Sequence, residues 1–295
     1  MNIRCLILPA LLLALSFNLS AENSISLQLA DYIAGKDARI GVAAIIDGRD
    51  TVEVNGSKDF PMLSVYKFPQ AIATARLCAE KSMAFTDTVE ISASELHDNT
   101  WSPLRDKYGK RDLRLPVAEL LAYTMQQSDN NACDILFRLT GGPEAADSVI
   151  KSMGYHDINI ATTEDDMHRD IYLCYLNRAT PLEMARLLEH FDRELRDDSP
   201  EFMEIARLME TCATGTDRLA APLTDAGVIL GHKTGTGDIN TQGRIIAIND
   251  AGYVRIDGQH RYSIAVFIAD SAYDFATTSA MIADISEIVY RGVTK

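Results

Sequence analysis

Ser64-Val65-Tyr66-Lys67 sets a hydroxyl and an amine three residues apart, on one face of a helical turn. A lysine that is neutral, or that is relayed to another base, can take the serine proton and leave a nucleophilic oxygen. The spacing alone says little, because Ser148-Val149-Ile150-Lys151 repeats it and reads as an ordinary helix face. Ser64 differs in its company: Ser128-Asp129-Asn130 and Lys233-Thr234-Gly235 follow it in order. Taken singly, each piece has a plain structural use. A serine before a helix is a common N-cap, and a lysine after it a solvated charge. Ser-Asp-Asn makes a polar turn, and a lysine on a sheet edge discourages aggregation. The ordered set carries the signal.

That set resembles the signature of class A β-lactamases and penicillin-binding proteins. Thr100-Trp101-Ser102-Pro103 and the run Ser128 to Cys133 are most similar to the PER-, VEB- and CfxA-type branch of class A, and the resemblance spans roughly Arg39 to Val289. It implies that Ser64 attacks the lactam carbonyl to form an acyl-enzyme, with Lys67 as partner in proton transfer. Ser128 would relay a proton to the leaving nitrogen, and Asn130 would hydrogen-bond the substrate's amide side chain. Lys233 with the hydroxyls of Thr234 and Thr236 would meet the substrate carboxylate. Gly235 would let the strand lie close, and the amides of Thr236 and Ser64 would form the oxyanion hole. Hydrolysis further needs a base for water, and the resemblance puts Glu164 of Thr163-Glu164-Asp165-Asp166-Met167-His168 there. Asp165 and Asp166 are rival carboxylates. His168 either helps to hold the water or is a surface residue. Arg218 is implied to face the substrate carboxylate, with Arg244 as its rival, and Trp101 either walls the cleft mouth or packs in the core. Where many relatives close the neck of this loop with an Arg–Asp pair, Thr162 and Asn177 stand here, so the neck must close through neutral hydrogen bonds. The implied substrates are small β-lactams, both penicillins and cephalosporins, oxyimino-cephalosporins included, and the implied biological role is antibiotic resistance. A transpeptidase or carboxypeptidase of the same motif set, or a sensor domain acylated without turnover, is the alternative.

Composition narrows the field. With 42 acidic against 28 basic residues the formal charge is −14, which argues against nucleic acid as a partner and for a soluble, self-repelling surface. Arg4 precedes an apolar run from Cys5 to Leu19, and Leu19-Ser20-Ala21 offers a small residue for cleavage, so residues 1–21 read as a signal peptide and the mature chain as periplasmic, without a lasting membrane anchor. Cys78, Cys133, Cys174 and Cys212 remain; an exported chain permits disulfides, but this one is large enough not to need them. Cys78 and Cys133 sit in apolar helical patterns and read as inert buried thiols. No Cys-x-x-Cys and no His-x-x-x-His occurs, so neither a metal nor a cofactor is expected, and the chain is expected to be a monomer.

The elements that must position these residues read as follows. Arg39 to Asp47 and Thr51 to Asn55 form a hairpin; Ser64 opens a helix to about Glu80. Helices follow at about Leu115 to Gln127, Ala132 to Leu139 and Pro143 to Met153, then a long compact loop at about 158–179. Thr180-Pro181 and Ser199-Pro200 each cap a further helix, reaching Leu195 and Cys212. Gly227 to Gly235, Gly243 to Asn249 and Arg261 to Asp270 read as strands, and Phe275 to Val289 as a terminal helix. The expected fold is α/β of the α+β kind: a five-stranded antiparallel sheet flanked by helices, from residues 22–62 and 213–295, beside an all-helical lobe from 63–212. A cleft between the two would draw residues from both.

Overall fold

In the computed structural model residues 24–258 and 260–295 are described; the expected signal peptide lies outside them. The apolar runs at the two ends of the chain meet in one sheet. Strands β1 (Arg39–Ile46) and β2 (Asp50–Val54) form the hairpin. Its turn has positive φ at both Asp47 and Gly48, which matches the twist of the flanking strands. Strands β3 (Ile229–Thr236), β4 (Ile245–Arg255) and β5 (Arg261–Ser271) complete it in the order β2-β1-β5-β4-β3, every pair antiparallel. β4 and β5 are buried on both faces, so alternate residues enter different cores. Ile264, Val266 and Ile268 join Ile25, Leu29, Ile282, Ile285 and Val289. Those last come from helix α1 (residues 24–33) and the terminal helix α10 (Phe275–Val293). Ala265, Phe267 and Ala269 point the other way, into a core shared with the remaining helices.

At the centre of that second core runs α2 (Lys67–Glu80), buried along most of its length, with Pro69 in its first turn, where proline needs no amide partner. Around it lie α3 (Pro103–Tyr108), α4 (Val117–Gln126), α5 (Asn130–Thr140), α6 (Pro143–Ser152), α7 (Glu164–Arg169), α8 (Pro181–His190) and α9 (Pro200–Glu210). Thr180 and Ser199 cap α8 and α9 as their sequence positions require, accepting from the amides of Glu183 and Phe202.

Several boundaries differ from expectation. The α-helix expected from Ser64 starts at Lys67, after a 3-10 turn over Leu63–Tyr66. The helix expected from Ala132 starts at Asn130, because the Asp129 carboxylate caps it by accepting from the Ala132 amide at 2.8 Å. The loop at 158–179 holds α7, a 3-10 stretch Ile171–Leu176 and two short strands, Ile158–Asn159 and Arg178–Ala179. β4 runs past Asn249 to Arg255. Asp250-Ala251-Gly252 has the composition of a turn but is strand, since buried Asp250 pairs with His232 across the sheet. A side chain at Gly252 would meet the Gly231 carbonyl at 2.5 Å, so glycine there serves close strand packing. Among the described residues no helix is long and apolar enough to cross a membrane.

Candidate active site

Ser64 is carried by a constrained segment. Leu63 has φ of +47°, a conformation bulky residues avoid, and Asn249 from β4 pins the chain just before it by donating to the carbonyls of Pro61 and Met62 at 2.8 and 3.0 Å. The serine lines two adjoining hollows of ≈ 350 Å³ each. Lys67, one turn on, is fully buried. Its Nζ donates to the Ser128 carbonyl at 2.9 Å and to Asn130 Oδ1 at 2.7 Å, and lies 2.9 Å from Glu164 Oε1. Burial pulls a lysine's pKa down, but the Glu164 carboxylate and the other groups around it, Asp129 among them, together outweigh that and hold Lys67 above its ordinary value. The resting arrangement is an ammonium–carboxylate pair, so Lys67 can accept the Ser64 proton only after passing one of its own to Glu164.

Ser128 sits opposite with φ of +58°, between α4 and α5. Its Oγ accepts from Lys233 Nζ at 3.0 Å, which leaves its own proton free to be given away. Lys233 is also fully buried, and desolvation, aided by the positive charge of Lys67, brings it down to about 8. Asn130 donates through Nδ2 to Thr100 Oγ1 at 2.8 Å, so in this state its amide points at the cleft wall. Edge strand β3 lies directly against the nucleophile: a Cβ at Gly235 would meet the Met62 carbonyl at 2.5 Å and the Ser64 amide nitrogen at 3.1 Å. The Thr234 and Thr214 hydroxyls are 2.6 Å apart, and both residues line the second hollow with Ser64, Ser128, Thr236 and Arg218. Arg218 is buried behind the strand, donating to the carbonyls of Gly235 and Asn249 at 3.0 Å each and to Thr236 Oγ1 at 2.6 Å. Arg244 goes elsewhere, to the Asp270 carbonyl and to Asp37, and lines neither hollow. Ser148 and Lys151 lie on α6, with Lys151 held by Asp147 and Asn159.

The loop beneath Ser64 is built around the first turn of α7. Thr163 caps it in a box with Asp166, and Asp134 of α5 accepts from the amides of Glu164 and Asp165 at 2.8 Å each. Burial, then the charge of Glu164, pushes Asp134 up to about 7. Asn177 closes the neck with neutral bonds, as expected. Its Oδ1 accepts from the amides of Ala161 and Thr162 at 2.7 and 3.0 Å, and its Nδ2 donates to the Thr162 carbonyl at 2.9 Å. Of the three acids in the first turn of α7, Glu164 alone meets Lys67; Asp165 pairs with Arg169, and Asp166 serves the cap. His168, exposed at the rim one turn after Glu164, lines the first hollow. Trp101 is 61% exposed and lines both hollows, tied by Nε1 to the Gln127 carbonyl, so it walls the mouth instead of packing in the core.

Motif and periodicity leave Asp134, Asn249 and Tyr66 unmarked. For the first two no local signal exists, since their partners come from distant segments. For Tyr66 there is one: a tyrosine facing into a buried turn needs a partner for its hydroxyl. It finds two, Glu164 Oε1 at 2.9 Å and Cys133 Sγ at 3.1 Å. Cys78, Cys133, Cys174 and Cys212 are free thiols, the first three buried. Among the described residues no group of three or more His, Cys, Asp or Glu side chains could hold a metal ion.

The chain is similar to known proteins in sequence and in fold. A family profile described as "Beta-lactamase enzyme family" matches residues 24–293. A β-lactamase of Bacteroides uniformis is 37% identical over 264 residues, covering 89% of each chain. The extended-spectrum β-lactamase PER-1 of Pseudomonas aeruginosa is 32% identical, covering 94% of this chain and 90% of its own. The crystal structure of a class A β-lactamase from Bacteroides cellulosilyticus superposes with a TM-score of 0.87 at 37% identity, over 92% of this chain and 98% of that one.

Proposed function

This chain belongs to the β-lactamase enzyme family, in class A, and from that premise we propose how its residues open and hydrolyse a β-lactam ring. Ser64 attacks the lactam carbonyl. Its proton is taken up through Lys67 as Lys67 passes one across 2.9 Å to Glu164, so the Glu164 carboxylate is where that proton comes to rest. The oxygen that gains negative charge is met by the amides of Ser64 and Thr236, brought together by the close approach at Gly235. Ser128 gives its proton to the leaving nitrogen and is resupplied from the Lys233 ammonium at 3.0 Å. Lys233, Thr234, Thr236 and Arg218 hold the substrate carboxylate, and Asn130 turns from Thr100 to the substrate amide. The Glu164 proton then passes through Lys67 and Ser128 to the Lys233 left neutral; the restored Glu164 carboxylate takes one proton from a water directed at the ester and gives it, through Lys67, to the Ser64 oxygen as the acyl bond breaks. His168 flanks that path at the rim.

One observation carries the reading: Glu164 reaches the Lys67 ammonium under Ser64, held there by a loop whose backbone Asp134 and Asn177 fix. Acylation can use that carboxylate too, as a resting place for a proton, but only hydrolysis needs it as a base for water. We extend the proposal to substrate range. The first hollow continues beside β3 between Met167, Ile171, Cys174, Gly237 and Ile246, where the side chain of a cephalosporin would lie. Penicillins and cephalosporins, oxyimino-cephalosporins among them, are the proposed substrates. The composition of residues 1–21 supports export, so the proposed site of action is the periplasm, as a monomer conferring resistance. The test is turnover of a chromogenic cephalosporin by purified protein with a chelator present, followed by kcat/KM for benzylpenicillin, a first-generation and an oxyimino-cephalosporin. Chelator-resistant hydrolysis is expected. Absence of turnover sinks the reading, and a penicillin-only profile sinks its extension to cephalosporins.

A further inference from the structure

The hydroxyl of Tyr66 contacts the one carboxylate to which the hydrolytic step is assigned, and its hydrogen-bond direction can be worked out. Gln70 Nε2 donates to the Cys133 carbonyl at 2.9 Å, which fixes that amide and turns Oε1 toward Cys133 Sγ, 3.1 Å away. An amide oxygen only accepts, so the thiol proton is committed to Gln70. Tyr66 therefore receives no proton from Cys133, and its own goes to Glu164 Oε1, the charged acceptor at 2.9 Å. The phenol cannot swing away: Tyr66 is fully buried, its ring stacked on Phe137 at 5.9 Å between centroids. Burial, with the Glu164 charge beside it, holds it far above the ordinary tyrosine range, so it stays a donor at every working pH. Oε1 thus takes both Lys67 and Tyr66, while Oε2 has no protein donor among the described residues.

We propose that Tyr66 is a positioning residue for hydrolysis: by pinning Oε1 it presents Oε2 to the water that attacks the acyl-enzyme. The inference rests on Glu164 being the hydrolytic base. Among the described residues the charged and titratable groups facing that carboxylate are Tyr66 and Lys67 from the Ser64 turn and α2, Cys133 and Asp134 from α5, Cys174 from the 3-10 stretch, Lys233 from β3, and Asp165 and His168 on its own helix. Of the neutral ones, Tyr66 is the group that donates to it. Removing the hydroxyl makes the ionised form of Glu164 less favoured and its orientation looser. Deacylation then slows, whereas acylation, which needs the carboxylate only as a resting place for a proton, does not.

The experiment compares Tyr66→Phe, 3-fluorotyrosine installed at position 66, Cys133→Ala and Glu164→Ala with the parent on one cephalosporin, reading kcat, KM, the acid limb of kcat against pH, and acyl-enzyme by mass. Tyr66→Phe is expected to lower kcat and KM together about tenfold, with kcat/KM within about threefold, and to move the acid limb up by about one pH unit. The fluorinated phenol, a stronger donor in an unchanged fold, moves the limb the other way, which decides the matter even if the phenylalanine variant folds poorly. Cys133→Ala costs stability but leaves the limb in place. An unmoved limb with fluorotyrosine, or a limb moved as far by Cys133→Ala as by Tyr66→Phe, overturns the proposal. Turnover retained by Glu164→Ala would instead remove the base reading on which it stands.

Discussion

Lys67 and Lys233 are both fully buried lysines, yet their surroundings give them opposite roles. Lys67 faces Glu164 and is held protonated; Lys233 faces hydroxyls and a carbonyl, with Lys67 opposing its charge, and comes down to about 8. The free enzyme therefore loses the Lys233 ammonium as pH rises through about 8, and with it the proposed grip on a substrate carboxylate and the proposed proton supply to Ser128. A kcat/KM profile falling above about pH 8, with the limb displaced upward in Lys233→Arg, is the expected result; a profile flat to about pH 10 would refute it. Arg218 poses a narrower question. Arg218→Ala should cost about 1.5–3 kcal/mol, or roughly 10–100-fold in kcat/KM, while Arg244→Ala stays within about twofold. Steady-state kinetics on both variants, with melting points as a control, settle which arginine serves the substrate. Chain order leaves these two arginines in competition, because which one turns inward depends on packing between strands and not on a local motif.

At the level of elements, the site depends on an edge strand lying against a strained turn. Gly235→Ala should lower kcat/KM by at least about 100-fold while the protein remains folded, since its Cβ would strike backbone at Met62 and force β3 away from Ser64. Activity near the parent's would mean that the strand is free to shift. β3 and β4 are also joined by His232 and Asp250, both buried, with Nδ1 2.9 Å from Oδ1. Burial alone would lower the histidine, but Asp250, with Cys212 adding to it, outweighs that and raises His232 from 6.5 to about 10. The folded protein thus keeps a proton that the unfolded chain releases near 6.5, so this pair's stabilisation is complete below that pH and is lost as pH rises toward 10. Two neighbours act with the opposite sign at the alkaline end. Burial would raise the Cys212 thiol, but His232 brings it down to about 7, and Lys233 is lowered to about 8. The pair's own share is therefore read as a difference between parent and Asp250→Asn in denaturant unfolding. That variant should lose about 3–5 kcal/mol near neutral or lower pH, with the deficit shrinking as pH rises above that. A deficit independent of pH would show that the pair does not titrate in this way. The same pair explains why β4 reads too short in the sequence: Asp250 looks like a turn residue until its partner across the sheet is known. The helix inside the loop is more accessible, since Thr163 and Asp166 spell a capping box.

Across the whole molecule, a chain of formal charge −14 gathers Lys67, Lys233 and Arg218 around one cleft, which suits a substrate bearing a carboxylate. The order of strands, helices and motifs is legible in the sequence because apolar periodicity and the three short motifs are local properties of the chain. How distant segments meet is not: Asp134 on the loop backbone, Asn249 on the segment before Ser64, and Tyr66 on Glu164. In the proposed mechanism such contacts separate an enzyme that turns over from a protein that is merely acylated, since they hold the Glu164 carboxylate beside Lys67 under Ser64. The central claim is therefore tested most directly by exposing Glu164→Ala to a cephalosporin and following the intact mass of the protein. Without the carboxylate, burial favours the neutral form of Lys67, which can then take the Ser64 proton itself, so the account predicts an adduct of one acyl group, mapped to Ser64 and persisting for minutes or longer, where the parent clears it. Turnover at the parent's rate, or an adduct on Ser128 or Ser148, would contradict it.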